Sequence, residues 1–258
     1  SRGVINRDLG YFEMALNDFQ SALSMSPHDI NVINNMGNVY KDTGNYDKAL
    51  ASFVEAHTKE PNDIEATWNQ SLLFLLFGNF ARAWQPYECR WERANQSTRF
   101  LNSSKPLWDG ETGKRIFLWA EQGIGDEIMF SSMLREVYAA SSQLIVQCDQ
   151  RLIPLFKRSF SDDIIYNHNR DEISEDDYDF HIPLGSLPRI FRPSLESFKK
   201  GSKPFLRFEL NKARSLRQKI LTDPEERLIG ISWKSKSILP GSLKRNISLN
   251  DIVHYTHT

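Results

Sequence analysis

Small and apolar residues recur at a fixed interval through the first ninety positions. Gly10, Ala15, Phe19, Ala22 and Pro27 return as Gly44, Ala49, Phe53, Ala56 and Pro61, 34 residues later in each case. A third round opens with Gly78, Ala83 and Tyr87 and then decays: Arg90 stands where Ala is expected, and Asn95 where Pro is expected. A period of this size signals stacked helical hairpins. Each unit predicts two antiparallel helices. Gly37, Ala49 and Ala56 let them approach, Tyr40 and Phe53 fill the space between them, Gly44 serves the turn, and Pro61 stops the second helix. The third unit is unusually apolar, with Leu72–Phe77 followed by Trp84, Tyr87 and Trp91. That predicts docking onto the region that follows; a free surface for a hydrophobic partner is the alternative.

Beyond about residue 93 the pattern changes. Gln96–Lys105 is a polar connector, and Pro106–Gly110 is a turn with an aromatic anchor at Trp108. Arg115–Ala120 reads as a short buried strand, Gln122–Asp126 as a tight loop, Glu127–Ala140 as an amphipathic helix and Gln143–Gln147 as a second strand. Strand, loop, helix and strand at this spacing imply a βαβ unit and a parallel sheet. Further strands are expected at 163–166 and 179–182, and a helix near 210–221. Thr222–Glu226 reads as a linker, Leu228–Trp233 as another strand, and Leu249–Tyr255 as the start of a helix.

Charge removes one class of partner. Lys and Arg total 32 against 33 Asp and Glu, so no basic excess points to nucleic acid. The longest apolar run, Leu72–Phe77, falls far short of the roughly 20 residues of a membrane helix, so no transmembrane segment is expected. Cys89 and Cys148 have neither CxxC spacing nor a histidine cluster, which suits reduced thiols in a cytoplasmic protein. Gly123 and Gly125 do not make a dinucleotide fingerprint, because Ile128 occupies the third glycine position. Gly230–Lys234 is not a nucleophile elbow, because Lys234 occupies the last glycine position. Asp177-Tyr178-Asp179 has the D-x-D form of a metal-dependent sugar transferase, but an acidic loop running into a strand explains it better. No metal is expected.

Two resemblances extend this reading. Within the middle unit, Met36-Gly37-Asn38-Val39-Tyr40 fits an L-G-x-x-Y element, with Ile33 in place of its Trp, and the 34-residue set resembles the tetratricopeptide repeat family. Gly3 lies 34 positions before Gly37, so Ser1 falls inside a repeat and at least one more repeat is expected before it. Further on come Trp108-Asp109-Gly110, the run Leu118–Asp126 (L-W-A-E-Q-G-I-G-D), Ile182–Pro188, Gly230–Lys234 and Arg245–Leu249. Together these are similar to repeat proteins whose C-terminal region resembles the ADP-heptose:lipopolysaccharide heptosyltransferases, of glycosyltransferase family 9. The resemblance implies a helical-repeat array (1–95) and an α/β Rossmann-like acceptor-side domain (96–224), the N-terminal half of a GT-B fold. A second, donor-side Rossmann-like domain begins at 225 and is cut at Thr258. It implies a nucleotide-sugar as donor substrate, no cofactor and no metal, with the fragment itself inactive.

Candidate residues follow, each with a plainer alternative. Asp126 would be the general base, or a helix N-cap. Gly123 and Gly125 would admit an acceptor or phosphate, or simply turn the chain. His181 and Ser186, near a strand end, would line the acceptor side, or serve the core and a turn. Lys234, directly after a strand, would touch donor phosphates as a point charge, and Arg245 would do the same; a surface lysine is the alternative. Asn31, Asn34, Asn35 and Asn38 would form a groove for an extended peptide or protein partner, or a solvated face. Two functions remain open. One is transfer of a sugar to a hydroxyl acceptor recruited by the repeats. The other is a peptide-binding repeat module with a non-catalytic α/β platform. A purely structural solenoid is disfavoured by the α/β pattern.

Overall fold

The computed structural model describes residues 1–93, 98–201, 204–221, 230–231, 247–248 and 252. Ser1–Arg207 forms one compact unit and Phe208–Thr258 a second. The expected linker at 222–226, the strand at 228–233, most of the helix at 249–255, and the candidates Lys234 and Arg245 lie outside the described residues.

Six helices open the chain: α1 (Arg2–Asp8), α2 (Phe12–Met25), α3 (Ile30–Asp42), α4 (Tyr46–Lys59), α5 (Ile64–Leu76) and α6 (Phe80–Tyr87). They pair as hairpins, and the 34-residue period is written in their turns. Gly10, Gly44 and Gly78 have φ of +85°, +76° and +69°, the left-handed region that favours glycine. In the middle hairpin Gly44 N–H donates to Lys41 C=O and Asn45 N–H to Tyr40 C=O, the paired bonds of a Schellman cap. The same two bonds recur around Gly10 and Gly78. Asp29 and Asp63 each accept the backbone N–H three residues on, capping α3 and α5. Between the helices, aromatic rings face glycines. A Cβ on Gly3 would lie 2.6 Å from the Phe19 ring, and one on Gly37 2.5 Å from the Phe53 ring. In the third hairpin the corresponding positions hold Ser71 and Tyr87, both buried.

After α6 the chain tightens into a 3-10 turn, Glu88–Glu92. Pro86, inside α6, has no N–H to continue the ladder. A four-stranded parallel sheet follows, in the order β3 (Ile165–Asn167), β2 (Ser141–Gln147), β1 (Lys114–Trp119), β4 (Phe180–Pro183). One face packs Ile116, Leu118, Leu144, Val146 and Ile182 against Phe130, Leu134, Val137, Phe156 and Leu187. These come from α7 (Ile124–Phe130), α8 (Leu134–Ala140), α9 (Ile153–Ser159) and α10 (Leu187–Phe191). The alternate residues of the strands, Phe117, Trp119 and Ile145, face the other way and meet Tyr178, Trp91, Leu101 and Ile173. The second face is therefore covered partly by the segment leaving the repeats. The helix expected at 127–140 starts earlier, at Ile124, and is interrupted by a 3-10 turn at Ser131–Met133. There Ser131 Oγ bonds back to Ile128 C=O at 2.7 Å, a bond that bends helices.

The last repeat docks on the α/β layer. Trp84 Nε1–H donates to Arg192 C=O at 2.7 Å. Phe80 lies 4.6 Å from the Phe198 ring. In the second unit, α11 (Leu210–Ile220) forms where the pattern predicts a helix.

Candidate functional site

The winding of the sheet locates a site before any side chain is considered. From β1 the chain crosses to β2 and on to β3, then jumps back to place β4 on the other side of β1. Ligands of open α/β sheets settle outside the carboxyl ends of the strands, near such a reversal.

At the reversal itself, between the loops after β1 and β4, the protein has placed its own charge. The Arg90 side chain reaches from the 3-10 turn after α6 and is 1% exposed; the Glu121 side chain, in the loop after β1, is 0% exposed. Nε and Nη2 of Arg90 each donate to a different Glu121 oxygen at 2.9 Å. Arg90 Nη2 also donates to Ser186 Oγ at 2.8 Å, and Ser186 Oγ–H donates to Glu88 Oε2 at 2.8 Å. Gly185 N–H completes the set with a 2.7 Å bond to Glu121 Oε1. Burial pushes the Glu121 carboxyl up, opposed by the Arg90 guanidinium and the Gly185 N–H. Burial works against the Arg90 charge too, but its bonds and proximity to Glu121 prevail and raise its pKa. The arrangement is a paired, fully hydrogen-bonded ion pair. Beside it Gln122 sits at φ +62°, and its Nε2 donates to Tyr87 Oη at 3.2 Å.

The open crevice lies on the other side of β1. Its volume is about 590 Å³, and it runs over the ends of β1, β2 and β3. Ala120 N–H donates to Gln147 Oε1 at 2.9 Å and fixes the floor. Glu121, Gln122, Glu127, Asp149, Arg151, His168 and Arg170 line it. Glu127 is 6% exposed, and its Oε2 accepts the Asp149 N–H at 2.8 Å. Burial, with the Asp149 and Asp126 charges adding, raises its pKa. The bidentate Arg151 guanidinium holds the Asp149 carboxyl down at about 2. Arg170 lies over the Trp119 ring at 5.5 Å and donates to Arg99 C=O. The crevice thus offers guanidinium groups, amides and two carboxyls, Glu121 and Glu127, that burial holds partly against ionisation, which suits a polar, hydroxyl-bearing or anionic ligand.

The residues singled out from sequence fall in different places. Gly123 is the N-cap of α7, and Asp126 is its third residue rather than its cap. Asp126 Oδ2 accepts the Gly123 N–H at 3.3 Å, the return half of a capping box. Gly123 and Gly125 are both exposed, and a Cβ on Gly125 would meet nothing within 4 Å. Neither glycine nor Asp126 lines the crevice. His181 is 2% exposed; its Nδ1 accepts the Trp119 Nε1–H at 3.2 Å, and burial lowers its pKa. Ser186 is 2% exposed and spent on Arg90 and Glu88. His181 faces inward because β4 is packed on both sides, and Ser186, in the turn that follows, is held inward by Arg90 and Glu88. Asn34 is 5% exposed, and its Nδ2 donates to the Asp63 cap at 2.8 Å. Asn35 donates to Asn31 C=O, and Asn38 accepts from Lys41. Asp179 pairs with Arg115 and Asp177 accepts the Ser174 N–H, so both D-x-D carboxylates are engaged locally. Cys89 and Cys148 are free thiols, and burial pushes them up to about 11 and about 12.

Sequence reasoning missed Arg90, Glu121 and Glu127. A signal for Arg90 was visible: it breaks the repeat where a small residue is due.

Residues 31–63 match the tetratricopeptide repeat family. Protein FlbA of Caulobacter vibrioides is 28% identical over 45% of this chain; the match spans 22% of FlbA, so the chain corresponds to about a fifth of that relative. Among solved structures, a tetratricopeptide repeat protein from Parabacteroides merdae is 29% identical, covering 38% of each chain with a TM-score of 0.33. An O-GlcNAc transferase mutant from Thermobaculum terrenum is 11% identical, covering 57% of this chain and 36% of its own, with a TM-score of 0.31.

Proposed function

We propose that this chain, which carries tetratricopeptide repeats, is the acceptor-side half of a GT-B sugar transferase whose repeats hold the acceptor or its carrier. The observation behind the reading is the hydrophilic crevice at the carboxyl end of the central strand. Part of its wall is the loop that carries the W-A-E-Q-G-I-G-D signature. In the reaction an acceptor hydroxyl attacks the anomeric carbon of a nucleotide-sugar. The new bond forms from oxygen to that carbon, the bond to the nucleotide phosphate breaks, and the hydroxyl proton passes to a carboxylate. Asp126, outside the crevice lining in the first turn of α7 just past that loop, is the proposed base. Gly123 and Gly125 give room beside it, and Lys234 and Arg245 are the proposed donor contacts.

A second reading, a peptide-binding module on a non-catalytic platform, is favoured by one specific observation. Glu121, His181 and Ser186 are engaged by Arg90, Trp119 and Glu88 in the interior and leave little for a substrate.

The test uses a longer natural protein that includes the donor-side domain. It is incubated with a panel of nucleotide-sugars, and nucleoside diphosphate release and sugar transfer to bound partner protein are followed. The transferase reading expects turnover that falls about 10²–10⁴-fold in Asp126→Asn. Partner binding without any turnover decides for the platform.

A further inference from the structure

We infer that Arg90 is a positioning residue for the crevice: the last repeat, through one side chain, holds the two loops that carry the site in their working shape. At the winding reversal the guanidinium binds the loop after β1 through Glu121 and the loop after β4 through Ser186. It fills the notch in which open sheets otherwise seat a ligand, which leaves the crevice over β1–β3 as the open part of the edge.

Four observations converge on this role. First, the pair is dry, with side chains 1% and 0% exposed, and bidentate. Guanidinium is the group suited to such a geometry, because its planar fork matches a carboxylate. Second, the approach is close. A Cβ on Gly185 would lie 2.1 Å from Glu121 Oε1 and 3.5 Å from Arg90 Nη2, so the loop after β4 is shaped around the pair. Third, Gln122, next to Glu121, is the non-glycine residue at positive φ among the described residues. It is held there by Tyr87, also from the last repeat. Fourth, both Glu121 and Gln122 line the crevice. A backbone in a costly conformation persists where its surroundings over-determine it, and here the surroundings come from the repeats.

The inference rests on the crevice reading for its consequence. Its test needs no substrate, so the two can fail separately. Three backbone amides report the loops: Ala120, bonded to Gln147, Gly123, bonded to Asp126, and Gly185, bonded to Glu121. Hydrogen exchange is measured at these and at β1 amides 116–118 in the whole chain. In Arg90→Met the three loop amides should exchange at least ten-fold faster while the strand amides change less than two-fold. Arg90→Lys, which keeps the charge and one donor direction, should fall between. Unchanged loop exchange overturns the inference, and so does equal acceleration of loops and strands, which would mark a merely structural pair. If Arg90→Met fails to fold, the Arg90→Met/Glu121→Met double variant removes the fully buried pair together and leaves only the part-exposed Glu88 without its Arg90 partner. The same loop-selective acceleration is required of its Ala120 and Gly123 amides, since Gly185 loses its acceptor with Glu121, and its absence counts against the inference.

Discussion

At the scale of single residues, two glycines of similar appearance in the sequence have opposite meanings. Gly185 is pressed against a buried carboxylate, whereas Gly125 faces open space at the second position of α7. Gly185→Ala is therefore expected to cost about 3 kcal/mol or more, since neither the backbone nor the locked Glu121 can yield. Gly125→Ala should be neutral or stabilise by about 0.5–1 kcal/mol, the usual gain of alanine in a helix. Urea midpoints of the two variants check this, and equal effects would refute it. Glu127 gives a pH signature. Its folded pKa is raised, chiefly by burial. The protonated form is the one the fold favours, and that favour is lost as pH rises through the raised value. Glu127→Gln imitates the protonated form and can still accept the Asp149 N–H. The variant should be more stable than the natural protein at neutral pH, and the gap should close below the ordinary glutamate value of 4.5. A gap that is independent of pH would show that Glu127 is ionised as easily in the fold as in the open chain.

At the scale of elements, the repeats are governed by one contact used repeatedly. Gly37 against Phe53 repeats Gly3 against Phe19. Replacing Gly37 with Ala gains up to about 1 kcal/mol of helix propensity. It also drives a methyl to 2.5 Å from a ring that is 0% exposed, at a cost of about 1–3 kcal/mol. The clash should win, and denaturant titration should show a net loss of about 1–2 kcal/mol. This recurrence is why the array was readable from sequence: the same contact demands the same residue types every 34 positions. The strands were readable for a related reason. Ile116 and Leu118 serve one buried face and Phe117 and Trp119 the other, so β1 is apolar from Ile116 to its end. The site was less readable. Nothing in the spacing of Arg90 and Glu121, 31 residues apart, announces a bond. Long-range pairing leaves no periodic trace, and Arg90 showed only as a break in the repeat. His181 and Ser186 were found at a strand end, but which way they face depends on packing from both sides. Asp126 was found as a helix-start residue, and only the actual first turn makes it the third residue instead of the cap.

At the scale of the molecule, repeats and sheet share one interior. Trp91 covers Trp119 at a ring separation of 5.2 Å, and Arg90 neutralises Glu121. A fragment of residues 98–207 would strip Trp91 from Trp119 and the last repeat from the opposite layer, and keep Glu121 without its cation. It is expected to lack fixed tertiary structure, with weak near-ultraviolet circular dichroism and strong binding of a hydrophobic dye. A fragment with sharp near-ultraviolet bands and a cooperative melt would show that the α/β layer is self-sufficient. The first two hairpins differ from this interior in one respect, since each is packed on its neighbours in the stack. Consider the chain under tension, held at Ser1 and at Arg207. Each hairpin gives way by peeling two helices from the next, whereas the parallel strands must be slid past one another along whole rows of bonds. The Schellman turns at Gly10 and Gly44 are then the compliant joints, and the Arg90–Glu121 contact is where compliance ends. A pull on the outermost hairpins would be absorbed as extension, one hairpin after another, before any strain reached the crevice loops.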